Sequence, residues 1–243
     1  MSYTTEEIKA KVCDALIANP ATVYTQDFVN YKGCVDGERY TEIIARELWS
    51  VVSLQHQQQS TNRELFLSIP KITREESYKT ESHKDLAKRE RPENSNRDEE
   101  WIAIGMYGKT FDYIGEILDF QTPLKNSADD VAGKIDLLSY NKEENVAYIL
   151  ELKKPGSEET LLRCALEAYT YWKTVDKEKL LCDFGIKGAE LRKAVLVFKC
   201  CDAYRDFVGD ECDSVCDLMK NKLHVDLFVL NNEINNVIEG YKH

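Results

Sequence analysis

The sequence predicts an α/β fold, a central mixed β-sheet flanked by helices, and three observations carry that prediction. Segments follow one another as helix, three strands, helix, strand, helix, strand, the order of a sheet with helices on its faces. The run Val146-Ala147-Tyr148-Ile149-Leu150 is apolar at every position, which marks a strand buried on both sides. Apolar stripes at helical spacing lie before and after the strands. With 243 residues the chain can bury a substantial core, and a single domain over 1–243 is expected.

Taken in order, Thr4-Thr5-Glu6-Glu7 has the form of a capping box and opens a helix through about Ala18, a helical extension before the core. A second helix is predicted over 38–58, with Tyr40, Ile43, Ile44, Leu48, Val51 and Val52 forming its core-facing stripe. Leu65 to Ile69 is short and apolar, a brief strand or an irregular packed segment. The stretch at about 71–96 turns polar and is expected to be a long loop, or a loose helix from Lys84 to Arg91. Its Lys84, Lys88, Arg89 and Arg91 would suit a mobile flap that touches phosphates, or simply a solvated insert. A short helix, Glu99 to Tyr107, precedes strands at 112–120, 133–140 and 146–153. Ser157 is the expected cap of an amphipathic helix ending near Thr174. A buried strand at 191–199, helical segments over 202–222 and a last strand at 224–230 complete the order.

No apolar run approaches the length of a membrane span. The first residues lack a basic start and an apolar stretch, so no secretory signal is expected and the cytoplasm is the expected compartment. The eight cysteines are then expected to stay reduced. Cys212 and Cys216, with Cys200 and Cys201 upstream, could be assembled into a zinc cluster, but no CxxC pair occurs and buried thiols are the better expectation. Net charge is −11, which counts modestly against a nucleic-acid partner. From Cys201 onward the chain carries nine acidic and four basic residues, so the negative excess could lie away from a basic cleft.

The chemistry concentrates in Gly133-Lys134-Ile135-Asp136 and Glu151-Leu152-Lys153, which read as two adjacent strands joined by the polar turn Asn141 to Asn145. Side chains alternate along a strand, so Glu151 and Lys153 share a face, and Asp136 can lie beside Glu151. Two carboxylates and a main-chain carbonyl suffice for Mg²⁺ (or Mn²⁺), which keeps several waters. Asp136, Glu151 and the Leu152 carbonyl are the candidate ligands, and Lys153 the candidate group for orienting water or stabilising charge. Such a set is equipment for phosphodiester hydrolysis. Solvated cross-strand pairs of the same residue types are common, but the apolar run leading into Glu151 puts these charges at a sheet edge or cleft.

These residues and the surrounding element order resemble the PD-(D/E)XK nuclease superfamily, whose core is shared with type II restriction endonucleases. The resemblance spans roughly 38–230 and implies a restriction-endonuclease-like core, αβββαβ, and a metal-dependent nuclease whose partner is nucleic acid, DNA first. In that family the aspartate and the acidic residue bind metal and the lysine assists the water. A glutamate on the first core helix often joins them, and Glu42 is the preferred match, with Glu38 and Glu47 as rivals. Ile135 stands where the family often has proline. The Arg163-to-Tyr169 segment is similar to a helix that places a polar residue and a tyrosine near the metal, which makes Arg163, Glu167 and Tyr169 candidate substrate-binding residues. Glu167 stands where glutamine is usual.

Lys134 and Lys154 border the predicted site and are candidates for contacting the scissile strand. Asp129-Asp130 could replace Asp136 as a ligand, though a loop position disfavours them. His56 has no partner pattern and is expected at the surface. No P-loop, dinucleotide fingerprint or nucleophile elbow is present. Cutting two strands would favour a homodimer. The competing expectation is an inactive protein of the same fold that binds nucleic acid or a protein partner.

Overall fold

The strand with two apolar faces lies in the middle of the sheet. In the computed structural model, which describes residues 3–53, 68–126, 133–231 and 237–242, seven strands lie side by side in one sheet in the order they follow along the chain. They are β3 (Thr110–Phe111), β4 (Gly115–Pro123), β5 (Lys134–Asn141), β6 (Val146–Leu152), β7 (Glu190–Phe198), β8 (Asp226–Leu230) and β9 (Val237–Tyr241). Every residue of β6 is buried. β3 to β6 run antiparallel to their neighbours, β6-β7 and β7-β8 pair in parallel, and β9 closes the edge antiparallel. The sheet is therefore mixed, with helices against it, as the apolar patterning requires. The expected end of the second helix near Gln58, His56, residues 65–67 and Asp129-Asp130 lie outside the described residues.

The β5–β6 hairpin forms where expected. Asn141 Oδ1 accepts from the amides of Glu143 (3.0 Å) and Glu144 (3.2 Å), and Asn145 takes the left-handed conformation that asparagine tolerates. The N-terminal capping box also forms, with the Glu7 amide donating to Thr4 Oγ1 and the Thr4 amide to the Glu7 carboxylate, opening α1 (Thr5–Ala18).

Several boundaries differ from the expectation for local physical reasons. The second helix, α2 (Tyr40–Ser53), begins two residues late because Glu38–Arg39 (β2) pairs with Cys34–Val35 (β1) around Asp36-Gly37, both at positive φ. The helix after the Glu151-Leu152-Lys153 motif, α5 (Leu161–Thr174), is capped by Thr160 rather than Ser157. Thr160 Oγ1 accepts from the Arg163 amide and donates to the Val29 carbonyl, tying the cap to the N-terminal extension. The last long strand starts at Asp226, because His224 adopts a left-handed conformation that ends the π-helical turn Leu218–Leu223. β9 was not expected at all.

The polar stretch at 71–96 holds only a short helix, α3 (His83–Leu86), and it is fastened to the body rather than free. Tyr78 is fully buried, and its amide donates to Asp183 at 2.9 Å. Ile72 bridges to Val175, and Arg74 donates to the Lys125 carbonyl. His83 Nδ1 lies 2.7 Å from Asp119 Oδ1 on β4, with its ring stacked 4.5 Å from that of Phe120. Of the basic residues expected to touch phosphates, Lys84, Lys88 and Arg91 are ion-paired with Glu81, Asp85 and Asp98.

Next comes α4 (Asp98–Met106), which packs on β4 and β5 and is thus the helix beside the motif-bearing strands. In contrast, α2 packs on α1, on α8 (Asp213–Asp217) and on the π turn. Crossovers through α5 and α6 (Lys177–Asp183), and then through α7 (Asp202–Val208) and α8, join the parallel strands. Among the described residues no helix is long and apolar enough to cross a membrane.

Thr160→Ala should lower unfolding stability in urea by about 1–2 kcal/mol, the usual worth of a helix N-cap. Ser157→Ala should cost less, since the Ser157 hydroxyl accepts only a 3.4 Å contact from the Glu159 amide. A larger loss from Ser157→Ala would show that the cap is wrongly assigned.

Candidate active site

Antiparallel register brings the two predicted acids together. The last paired position of β5 and β6 sets Leu137 opposite Leu150, so one step further sets Asp136 opposite Glu151. There the strands part, and the Leu152 amide donates to Asp136 Oδ2 (3.0 Å) instead of to a main-chain carbonyl. A residue's N–H and C=O lie on the same edge of an extended strand, so the Leu152 carbonyl also faces Asp136. Gln121, held at φ +47° on β4, donates from Nε2 to Asp136 Oδ1 (2.8 Å). Both Asp136 oxygens are thereby oriented. A Cβ at Gly133, just before β5, would lie 2.3 Å from the Tyr171 hydroxyl, so a larger residue there would push that ring aside.

Lys153 is the hub of the site. Its side chain is 5% exposed, and its ammonium lies 2.6 Å from Glu151 Oε1 and 2.9 Å from Glu159 Oε2. Glu99 Oε1 and Glu167 Oε2 stand further off, at 3.8 and 3.9 Å. Arg163 Nε lies 3.6 Å from Glu159, and the Tyr171 hydroxyl donates to Glu167 Oε1 (2.8 Å). A cleft of about 390 Å³, walled by Arg97, Asp98, Glu99, Gln121 and Lys154, opens onto Asp136. Lys154 sits at its mouth, with its ammonium on Asp98 (2.8 Å) and its amide on Glu99 (2.9 Å).

So many acids around one ammonium distort the proton affinities. Burial pushes the Asp136 carboxyl up to about 7 against the pull of Lys153, and Glu99 adds to the rise. Burial also raises the Glu151 carboxyl well above the ordinary glutamate range, with Asp136 and Glu167 adding to it. For Lys153, burial favours the neutral amine, but the surrounding carboxylates, Glu151 first, outweigh it and hold the ammonium above the ordinary lysine range. The direction of that shift favours the charged ammonium at Lys153 over a neutral amine. Glu151 Oε2 is buried without a hydrogen-bond partner, an unmet demand for a donor or a cation.

Of the residues singled out in the sequence, Asp136, Glu151, Leu152, Lys153, Lys154, Arg163 and Glu167 come together here. Lys134 is exposed at the start of β5, opposite Pro123, where it borders the site without joining it. Glu42 is elsewhere: its carboxylate accepts from the amides of Ser214 (2.8 Å) and Val215 (3.0 Å) at the start of α8. The reason is the packing of α2 against α8, away from β5 and β6. Of its rivals, Glu38 is ion-paired with Arg46 and lies on β2, and Glu47 is half-buried on α2. Tyr169 points to the other side of α5, its ring centroid 6.4 Å from that of Trp172.

Glu99, Glu159, Gln121 and Tyr171 escaped the sequence reading. For two of them a signal existed: Glu159, Arg163, Glu167 and Tyr171 recur every fourth residue, one polar stripe along α5. Glu99 follows from recognising the short helix before the strands, and not the longer α2, as the one beside the motif. Gln121 had no signal, because its direction depends on a left-handed residue inside a strand. The zinc alternative finds no support in the cysteines' surroundings. Cys212 Sγ accepts from Arg39, Cys201 Sγ donates to the Lys154 carbonyl, and Cys200 Sγ accepts from the Gly156 amide. Among the described residues no three or more His, Cys, Asp and Glu side chains form a metal cage.

Glu42→Ala should destabilise the protein by about 1–3 kcal/mol in denaturant unfolding, because two amides lose their acceptor in a buried setting. Unchanged stability would contradict the placement of its carboxylate at α8. No family model, curated protein or solved structure matches the chain.

Proposed function

We propose that this protein is a Mg²⁺- or Mn²⁺-dependent nuclease that hydrolyses phosphodiester bonds of nucleic acid, DNA first. One observation carries the proposal: Asp136 and Glu151 converge from adjacent strands with Lys153 against Glu151, and a cleft opens onto Asp136. The order α4, β4-β5-β6, α5, β7, with β7 parallel to β6, supports a restriction-endonuclease-like core. A cytoplasmic setting and a homodimer for cutting both strands belong to the same proposal.

The donor set fits a hard divalent cation. It consists of oxygens only, and Glu151 Oε2 lacks a partner. Asp136, Glu151 and the Leu152 carbonyl would hold the ion, which when bound acidifies water and offsets the negative charge that grows at phosphorus. The remaining work falls to the chain itself. Gln121 and the Leu152 amide fix the Asp136 carboxylate in place. The Lys153 ammonium would supply positive charge near the reacting phosphate. Glu159 and Glu167 hold that ammonium at the floor of the site, and Tyr171 in turn orients Glu167. At the cleft mouth Lys154 and Arg97 are the cations nearest an incoming backbone, and both are ion-paired, so a phosphate must exchange with Asp98 and Glu100.

A second reading, a protein of this fold without activity that binds nucleic acid or a protein partner, is favoured by one observation. Lys153 already contacts two carboxylates and offsets part of the charge a metal would offset. The assay that separates the two is cleavage of plasmid and single-stranded DNA with Mg²⁺ or Mn²⁺. Wild type should cut, while Asp136→Asn and Glu151→Gln, which keep size and shape, should lose at least about a hundredfold in rate. Glu42→Gln should retain activity. A wild-type protein inert on DNA and RNA with either ion would favour the binding reading.

A further inference from the structure

The chain turns back on itself just before α4. The Ser95 amide donates to the Pro92 carbonyl (3.0 Å), and Ser95 Oγ accepts from the Trp101 indole N–H on α4 (2.9 Å), which ties the turn to the helix. Arg91 is thereby returned to the first residue of α4, where its guanidinium donates to the Ser95 carbonyl (2.7 Å) and to Asp98 Oδ1. Lys154 reaches the same carboxylate, its ammonium 2.8 Å from Asp98 Oδ2. The main chain of Lys154 is itself anchored, its amide donating to Glu99 (2.9 Å) and its carbonyl accepting from Cys201 Sγ (3.0 Å). Asp98 therefore bridges two cations brought by separate segments, one on each oxygen, at the cleft that opens onto Asp136.

That bridge has the form of a bound phosphate. A carboxylate and a phosphodiester each present two oxygens sharing one negative charge, and arginine and lysine are the side chains that bind such oxygens. Lys154 first, then Arg91, holds the Asp98 carboxyl below the ordinary aspartate range, so it is charged at neutral pH. The three side chains are 39–44% exposed, so water and salt compete for each contact and the bridge opens readily. By contrast, the neighbouring Lys153 ammonium is sealed against Glu151 and Glu159 and has no such freedom.

We infer that Arg91 and Lys154 form a subsite for one backbone phosphodiester of a nucleic-acid strand, and that Asp98 is its built-in competitor, seated there until a phosphate displaces it. The inference rests on the nuclease reading and gives the polar stretch at 71–96 a part in holding substrate. A free phosphate competes poorly with a carboxylate tethered in place, whereas a strand held at further points competes well.

The test is fluorescence anisotropy of a labelled single-stranded thymidine oligonucleotide with the full chain, at low salt and without divalent ions. Asp98→Asn keeps the size of the side chain and should tighten binding about five- to tenfold, since two exposed ion pairs no longer have to open. Glu143→Gln, exposed in the turn at the far end of the β5–β6 hairpin, removes the same charge away from the cleft and should shift affinity by less than about twofold. Lys154→Met and Arg91→Met, each added to Asp98→Asn, should remove most of the gain while the chain remains folded by circular dichroism. Equal affinity in wild type and Asp98→Asn, an equal gain in Glu143→Gln, or no binding by wild type and Asp98→Asn alike would overturn the inference. Inorganic phosphate that displaces the oligonucleotide from wild type better than chloride of equal ionic strength would assign the subsite to a free anion and overturn it too. Cleavage with Mg²⁺ or Mn²⁺ is read separately. The gain in Asp98→Asn without cleavage by wild type upholds the subsite and removes the nuclease reading, and cleavage without the gain does the reverse.

Discussion

The contact between Lys153 and Glu151, 2.6 Å long and nearly sealed from water, is the constraint around which the site is arranged. An ammonium at the end of a fully buried strand needs acids, and they come from three elements: β6 itself, the first turn of α4, and α5 with the residue before its cap. Burial first, with the neighbouring acids adding to it, raises the carboxyls of Asp136 and Glu151. A structural ion pair alone would not call for Asp136 on the neighbouring strand, nor for the orphaned Glu151 oxygen. The proposed metal site would use both.

Much of this was legible because strands impose a strict alternation. Once β5 and β6 are joined by a turn of known length, Asp136 and Glu151 must fall side by side, and Glu151 and Lys153 must share a face. The apolar run of β6 and its neighbours likewise declares a sheet interior. Helices were harder to read. Glu42 was preferred because α2 has the stronger amphipathic stripe, yet that stripe faces α1 and α8, so the helix that reaches the motif is the shorter α4. Periodicity reveals that a helix buries a face but not which element buries it. Tyr169 failed for a related reason. The polar stripe of α5 runs through residues 159, 163, 167 and 171, and a tyrosine two positions off that line turns toward Trp172.

The polar stretch at 71–96 shows the limit of composition as a guide. Its low apolar content suggests a mobile flap or a solvated insert, yet Tyr78 and His83 fasten it, one beneath the surface against Asp183 and Ile72, the other onto β4.

The most direct measurement is anomalous diffraction from a crystal soaked in Mn²⁺. The account predicts a peak between the carboxylates of Asp136 and Glu151, within coordination distance of the Leu152 carbonyl, and its loss in Glu151→Gln. A soaked crystal with no peak there, and Lys153 still seated on Glu151 and Glu159, would contradict the claim that these acids are a metal site.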